Sequence, residues 1–457
     1  MNHQNKLGEE KVFKLLLEFS VPAIIGMIVN TLYNIIDRMY IGHIPEVGNL
    51  AITGVSITMP IMTIMLAFGM LVGIGTSAKI SLKLGQNDKE SAEKHLSNAF
   101  TLLVIISILI TIFGLLFMDK LLAIFGASEQ TLVFAREYIE VIFIGTIFNM
   151  LSFGLNHSIR SDGNPKIAMC SMLIGAITNI VLDPIFIFTF NMGVRGGAIA
   201  TVISQIVTTI WVLYYFIKGK SVLKIRKKYL KLDKTIVLSI FAIGISPFSM
   251  QIAQSVVQVI ANNSLRKYGG DNAIGAMGII SSISMIFLMP VFGINQGSQP
   301  IIGFNYGAKK YKRVKETVKY AVSAATVLTV TGFLAVQLIP NVLISMFNSD
   351  PDLINIGVRG LRVYLMMFPI LGFQIVSSNF FQSIGKAKIS MFLSLLRQVI
   401  ILIPCMIILP MRFELLGVWM SGAVSDLVAA IITGIIFFKA MRNLKEKKEL
   451  DIQKAYR

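Results

Sequence analysis

Apolar residues in this chain are gathered into twelve long segments that short polar stretches separate. Each segment holds about 20 residues or more, which is the length a helix needs to cross a hydrocarbon core of about 30 Å. We expect helices throughout, because a backbone in lipid has to form its hydrogen bonds within its own segment. The predicted spans are 15–40, 51–77, 96–118, 131–156, 167–190 and 195–217, then 235–264, 272–303, 320–342, 356–382, 391–409 and 415–438. The pattern predicts an all-α, polytopic membrane protein with twelve transmembrane helices.

The composition agrees with this fold class. Charged residues make up 14% of the 457 residues, against about 25% in an average soluble domain. Apolar residues make up 54%, and the mean hydropathy is +0.72. This composition excludes a set of soluble domains, because too little polar surface is available to keep them in water.

The net charge of +18 comes from 42 basic and 24 acidic residues. In a soluble protein such an excess would suggest nucleic-acid binding. Here most basic residues lie between spans and fall on one side of the membrane, which is the positive-inside pattern. We therefore expect both termini to be cytoplasmic, with no nucleic-acid partner.

Two halves of the chain carry the same motifs in the same order. A Phe-Gly-x3-Gly motif at 68–73 recurs at 292–297, and Ser-x-Gly-x-x-Lys-Ile-x-Met at 161–169 recurs at 383–391. Because six spans return the chain to its starting side, the two repeats run parallel. The sequence predicts two pseudo-symmetric six-helix bundles, an architecture typical of alternating-access carriers.

The predicted domains follow from this duplication. They are an N-terminal lobe at 1–217, a basic cytoplasmic linker at 218–234, a C-terminal lobe at 235–438 and a cytoplasmic tail at 439–457. We interpret the linker as a solvated segment that sets topology, and binding of anionic lipid is the alternative.

The sequence contains no pattern typical of an enzyme site. No GxxxxGK[ST] loop is present, so we expect no ATPase activity in this chain. The four histidines are scattered in loops or at helix ends, which disfavours an intramembrane transferase. The twofold repeat argues against a passive channel. We expect a protein that is not an enzyme and needs no cofactor.

Three acids fall deep in predicted spans, where one ionised Asp costs about 2.5–3.5 kcal/mol on insertion scales. They are Asp37, Asp183 and Asp426. Asn179 lies four residues before Asp183 and therefore on the same helix face. Pro184 is expected to kink this helix and free a carbonyl group. These oxygens suit Na⁺ or a protonatable carboxyl group, and the alternative is a solvated acid near a helix end.

Other polar residues extend this pattern through the first half. Asp37 shares a helix stripe with Asn30, and pairing with Arg38 is the alternative role for this acid. Polar residues at helical spacing are Asn149, Ser152 and Asn156 in the fourth span, and Thr201 and Gln205 in the sixth. Each stripe alone is also explained by hydrogen bonds between helices. Together they predict a polar, acid-bearing interior in the first lobe.

The second half lacks the equivalent acids. In the repeat register, Asn262 stands where Asp37 stands, and Cys405 stands where Asp183 stands. We therefore expect coupling to a driving ion to be confined to the first lobe. Asp426 is interpreted as a lone acid with a structural or hydration role.

The motifs resemble the multidrug and toxin extrusion (MATE) family, within its DinF/MepA-like bacterial branch. The resemblance covers nearly the whole chain and depends most on the Asn-x3-Asp-Pro element at 179–184 and the Gly-Gly-Ala at 196–198. It implies a V-shaped pair of six-helix lobes in the bacterial cytoplasmic membrane and export of drug-like, often cationic compounds. It also implies coupling to H⁺ or Na⁺ at Asp37, Asn179, Asp183 and Thr201. Substrate-binding positions would fall on Asn30, Ser152, Asn156, Met172 and Gln205.

The sequence therefore predicts a monomeric antiporter whose partners are small-molecule drugs and membrane lipid. Other than Na⁺ at the four coupling residues, no metal is expected. A flippase for lipid-linked oligosaccharide or lipid II, from the same wider superfamily, is the alternative. Such a protein would need basic residues inside the membrane to hold a pyrophosphate, and Arg397 is the main one here. The choice between H⁺ and Na⁺ and the range of substrates stay open.

Overall fold

The computed structural model describes residues 3–347 and 350–444, and this part of the chain is helical. It contains eleven helices that are long and apolar enough to cross a membrane, or twelve if one bent pair is counted as a span. Every predicted segment overlaps one of them, so the predicted fold class is confirmed. The spans, numbered in chain order, are Val12–Gly42 (α1), Gly48–Gly85 (α2), Lys89–Leu116 (α3), Glu129–Ser161 (α4), Pro165–Thr189 (α5), Gly193–Ile217 (α6), Lys234–Gly270 (α7), Asn272–Gly307 (α8), Tyr311–Leu338 (α9), the bent pair Pro351–Tyr364 and Phe368–Ser383 (α10), Ala387–Ile408 (α11) and Pro410–Arg442 (α12).

Shorter elements precede or connect these spans. They are the helices His3–Glu9, Met118–Ile124 and Pro340–Ser345 and the 3₁₀ turn Lys227–Tyr229. Several helices extend past the apolar segments into polar residues, and a side-chain cap accompanies some of these ends. At the start of α3, for example, the Asp88 carboxylate accepts the backbone N–H of Ser91 at 3.0 Å.

A single glycine separates α7 from α8. Gly270 has φ +66° and ψ −164°, a conformation that only glycine adopts readily. The chain therefore turns here without a loop, close to the predicted boundary between 264 and 272.

The described chain forms two compact units. Among the described residues, one contains 3–6 and 25–248, and the other contains 7–24, 249–347 and 350–444. The divisions at 24/25 and 248/249 fall inside α1 and α7, whereas the predicted lobes are separated by the linker at 218–234. Residues 439–442 of the predicted tail form the last turn of α12. Residues 445–457 of that tail lie outside the described residues.

Close backbone contacts explain where these divisions fall. In the first unit, Gly244 of α7 packs directly on the backbone of Leu71, and Gly75 packs on the backbone of Ile240. In the second unit, Gly293 and Gly297 of α8 leave room for residues 20–24 of α1. Small residues allow such close approach between helices in a membrane.

The segment between α6 and α7 is bound to the first unit, and we call residues 218–233 the strap. Asp162 is 1% exposed and accepts the backbone N–H groups of Val222 and Leu223, each at 3.1 Å. The hydroxyls of Tyr215 and Ser221 also donate to it, at 2.5 and 2.8 Å. Burial raises the pKa of the Asp162 carboxyl group, and these hydrogen bonds oppose the rise.

The rest of the strap is held by polar side chains of α3. Glu93 accepts the backbone N–H of Lys224 and the guanidinium of Arg226, both at 3.1 Å. The Asn98 amide donates to the carbonyl of Tyr229 at 3.0 Å. The structure therefore differs from the expected solvated linker: α3 holds the backbone of the strap, while most of its lysine side chains remain exposed.

Candidate functional site

Three of the four residues expected to couple ion movement meet where α5 packs on α6. The Asn179 amide donates to Asp183 Oδ1 at 3.0 Å and to Thr201 Oγ1 at 3.3 Å. Asn179 and Asp183 are 0% exposed, and Thr201 is 6% exposed. Asp183 is thus a buried acid. It is not the solvated acid near a helix end that was the alternative expectation from the sequence.

The local sequence explains why an acid is presented here. The regular part of α5 ends at Pro184, and a π-helical turn follows at Ile185–Thr189. Proline cannot donate a backbone hydrogen bond, so the regular ladder is interrupted at this point, as predicted. Gly196, near the start of α6, packs on the backbone of Phe186 in this turn. The break in α5 and the glycine in α6 together bring Asp183 close to Thr201.

Asp37 of α1 belongs to the same cluster. It is 7% exposed and interacts electrostatically with Asp183. Its Oδ1 lies close to Gly197 of α6. A β-carbon added at Gly197 would lie 3.5 Å from this oxygen atom. Within the described residues Asp37 forms no ion pair with Arg38, whose guanidinium instead lies 3.1 Å from Met59 Sδ. Pairing of these neighbours is therefore not what holds Asp37 in place.

Three oxygen atoms of this cluster are buried without a hydrogen-bond partner: Asp37 Oδ1, Asn179 Oδ1 and Asp183 Oδ2. A buried acceptor without a donor costs about 1–3 kcal/mol, and more if it is charged. Asp37 and Asp183 interact electrostatically and repel each other when both are charged, so a proton or a cation that neutralises this charge is favoured. The donor set of two carboxylates, an amide oxygen and a hydroxyl fits either H⁺ or Na⁺. The described residues contain no group of three or more His, Cys, Asp or Glu side chains that suits another metal.

Tyr138 of α4 is a member of this cluster that the sequence did not reveal. It is 2% exposed, its hydroxyl contacts Thr201, and it interacts electrostatically with Asp37. No local pattern could have revealed it, because its relation to the acids depends on the packing of three different helices.

The residues expected to bind substrate are distributed over several helices of the first unit. The Asn156 amide is used in packing, since it donates to the Ala168 carbonyl at 2.9 Å and to Ser171 Oγ at 2.6 Å. Ser152 Oγ donates to the Asn149 carbonyl at 3.0 Å. These two side chains therefore join helices or bond within their own helix.

The other three expected positions are more open. Asn30 is exposed, and its Oδ1 lies 3.4 Å from the Asn34 amide. Met172 and Gln205 are half-buried. The sulfur of Met172 lies 3.5 Å from the guanidinium of Arg160, which is only 3% exposed.

In the second unit, Asp426 is not a lone acid, which corrects the sequence-based interpretation. Arg397 Nε donates to Asp426 Oδ1 at 2.5 Å, and the side chains are 21% and 6% exposed. The two residues are 29 positions apart on α11 and α12, so no helical spacing could have revealed the pair.

The fold and the buried acid cluster define a polytopic membrane transport protein built from a duplicated six-helix unit. The model of the MatE family matches residues 22–185 and 247–408, which is most of both repeats. The chain belongs to the MatE family, and the resemblance seen in the sequence is confirmed.

Known relatives agree over nearly the whole length. The chain is 29% identical over 427 residues to the multidrug export protein MepA of Staphylococcus aureus strain MSSA476, covering 93% of this chain and 94% of that protein. It is similar to a solved MATE structure in the bent conformation, with a TM-score of 0.91, 25% identity and coverage of 97% and 98%. A transporter of the MOP superfamily from Pyrococcus furiosus has a TM-score of 0.89, 26% identity and the same coverage. For that protein, the reverse polarity of the binding pocket has been taken to suggest a different function.

Proposed function

We propose that the chain is an antiporter that exports drug-like, often cationic amphipathic compounds across the bacterial cytoplasmic membrane by alternating access. Inward movement of H⁺ or Na⁺ would drive export. Membership of the MatE family and similarity to multidrug export proteins support this proposal. The observation that carries it is the buried cluster of Asp37, Asn179 and Asp183, with one unpaired oxygen on each side chain.

The cluster would couple the ion to the drug through its charge. With H⁺ or Na⁺ bound, the charge of Asp37 and Asp183 is neutralised and the helices that carry them repack. With the ion released, the two carboxylates repel each other, and the arrangement competent to bind drug returns. Coupling of about 1–3 kcal/mol between the two sites corresponds to a 5–150-fold change in affinity.

Drug would bind in the first unit, near the half-buried or exposed residues Asn30, Met172 and Gln205. Asn156 and Ser152 would shape this region through their contacts with neighbouring backbone rather than bind drug directly. We expect both termini in the cytoplasm, membrane lipid around a monomer, and no cofactor beyond the coupling ion.

A lipid-linked oligosaccharide or lipid II flippase is a second candidate. The observation that favours it is Arg160, a buried guanidinium with no carboxylate partner among the described residues. A basic group at such a place suits a phosphate group of a substrate. The acidic cluster still favours antiport, because a flippase of this kind has no evident need for two neighbouring buried carboxylates.

Ethidium efflux from proteoliposomes tests the proposal. A Na⁺ gradient and a pH gradient are imposed separately, on the wild type and on Asp183→Asn. We expect efflux with at least one gradient and only background efflux in the variant. Asp119→Asn is the matched control, because that acid is 58% exposed and lies in a loose surface pair with Arg136 at 3.7 Å. Normal efflux in Asp183→Asn would overturn the coupling mechanism.

A further inference from the structure

The second unit contains a buried ion pair that the proposed cycle does not use. Arg397 of α11 donates through Nε to Asp426 of α12 at 2.5 Å, and Ser425 Oγ donates to the carbonyl of Arg397 at 2.7 Å. Both charged residues lie within membrane-spanning segments. Because charges are costly to bury in such segments, they commonly mark functional positions.

The fold itself does not require charges here. In the repeat register, Arg397 stands where Gly175 stands in the first half, and Asp426 stands where Gln205 stands. In the first unit, Gly175 packs closely on Thr208, and no ion pair occupies the position. A buried ion pair can often be replaced by packed apolar residues without loss of stability. The charges therefore suggest a task beyond holding α11 on α12.

Three helices bring chemically different groups to this place. Arg397 lies in a π-helical turn, Leu396–Ile401, and such turns are frequent at functional sites. Tyr364 of α10 interacts electrostatically with both Arg397 and Asp426. Its ring packs on Gly422, one turn before Asp426, where a β-carbon would overlap the ring. A guanidinium, a carboxylate and an aromatic face thus lie together.

Asp426 uses only one edge of the guanidinium. The hydrogen bond to Asp426 comes from Nε, and no hydrogen bond joins the two terminal nitrogens of Arg397 to another described residue. A guanidinium carries five N–H donors in a planar fork, so its terminal edge can bind a second carboxylate through two bonds. The side chain is 21% exposed, and neither terminal nitrogen is among the buried side-chain atoms without a hydrogen-bond partner.

We propose that Arg397, Asp426 and Tyr364 form a recognition site for an aromatic zwitterion. The carboxylate of the ligand binds the terminal nitrogens of Arg397, its cationic group lies beside Asp426, and its ring packs on Tyr364. This inference rests on the proposed export function, since it names a second substrate site in the same protein. A simple cation gains little here, because Arg397 already neutralises Asp426. The site therefore favours ligands that carry a carboxylate.

Binding of two related dyes to purified protein in nanodiscs tests the inference. Rhodamine B carries a free carboxylate and a delocalised cation, whereas its ethyl ester is a cation without the carboxylate. The variant R397Q/D426N removes both charges at once, because removing one would leave the other buried and unpaired. By fluorescence anisotropy we expect rhodamine B to bind about tenfold more weakly to this variant, as for loss of a charge-assisted hydrogen bond, and the ester to change less than twofold.

Two further variants separate recognition from structure. The matched control R136Q/D119N neutralises the exposed Arg136–Asp119 pair in the same way and should bind both dyes like the wild type. Arg397→Lys keeps the charge but loses the planar fork, so we expect weaker binding of rhodamine B and little change in binding of the ester. Equal weakening of both dyes, or no change in either, would overturn the inference.

The ethidium efflux assay and the rhodamine binding assay can succeed or fail independently of each other. Gradient-driven ethidium efflux in a wild type that binds both dyes alike would leave the proposed function standing and overturn the second site. Discrimination between the dyes in a protein without gradient-driven efflux would support the second site alone.

Discussion

Removing the Asp162 side chain should detach the strap from the first unit. In Asp162→Ala, the backbone N–H groups of Val222 and Leu223 and the hydroxyl of Tyr215 lose a charged acceptor. Ser221 keeps its bond to the Leu223 carbonyl at 2.6 Å. Each buried donor left unpaired costs about 1–3 kcal/mol. We therefore expect the free energy of opening the strap to fall by about 3 kcal/mol.

Hydrogen exchange measures this opening directly. A fall of about 3 kcal/mol corresponds to exchange that is more than about a hundredfold faster at the amides of Val222 and Leu223. Trypsin should also cut the variant faster after the exposed lysines of the strap. Peptides from the interior of α2 report whether the whole unit has loosened, and we expect their exchange to stay slow.

Glu90→Gln is the control for this experiment. Glu90 accepts the hydroxyl of Tyr229 at 2.9 Å near the far end of the strap, at an exposed position. We expect exchange at Val222 and Leu223 to be unchanged in this variant, because exposed polar contacts contribute little. Unchanged exchange at the same two amides in Asp162→Ala would refute the role given to this acid.

Three further predictions concern other contacts. Hydrogen bonds from Ser91 lower the pKa of Asp88, which caps α3. Asp88→Ala should therefore reduce the free energy of unfolding at pH 7 by about 0.5–1 kcal/mol. This is the low end for a cap, because the Asp88 side chain is 38% exposed. That stabilisation is present above about pH 4 and is lost as pH falls through the lower folded pKa, so the unfolding midpoints of variant and wild type should approach each other as pH falls below about 4. Gly244→Val should lower the unfolding midpoint by an amount equivalent to roughly 1–3 kcal/mol, because the new side chain overlaps the backbone of α2, whereas Gly278→Ala, in open space, should change it little. Asn179→Ala removes the donor to Asp183 and should shift the driving-ion concentration for half-maximal ethidium efflux by about fivefold or more; an unchanged dependence would contradict its place in the coupling site.

The sequence predicted the parts of this fold that depend on local pattern. A membrane span needs only a long apolar run, and every predicted segment overlaps a helix of the structure. The proximity of Asn179 and Asp183 follows from a spacing of four residues on one helix, and the break after them follows from Pro184. Such features depend on neighbours in the chain and can be read before any tertiary contact is known.

Contacts between distant segments could not be predicted in the same way. The strap has the composition of a solvated linker, but its backbone N–H groups bind Asp162 and Glu93. These two acids lie about 60 and 130 positions earlier in the chain. Asp426 is an isolated acid in the sequence, and its partner Arg397 lies on the preceding span. In each case a buried polar side chain needed a hydrogen-bond or ion-pair partner inside the protein. The packing of the helices decided which group became that partner.

The divided α1 has a consequence for how the protein is made. Residues 7–24 pack with the unit that contains 249–347 and 350–444, so they are synthesised well before the segments they pack against. During that interval the exposed face of the first helix has to be sheltered by lipid or by the insertion machinery. Expression of residues 1–234 alone would leave this face without its partner, and two separately expressed halves should assemble only when both are present in the same membrane.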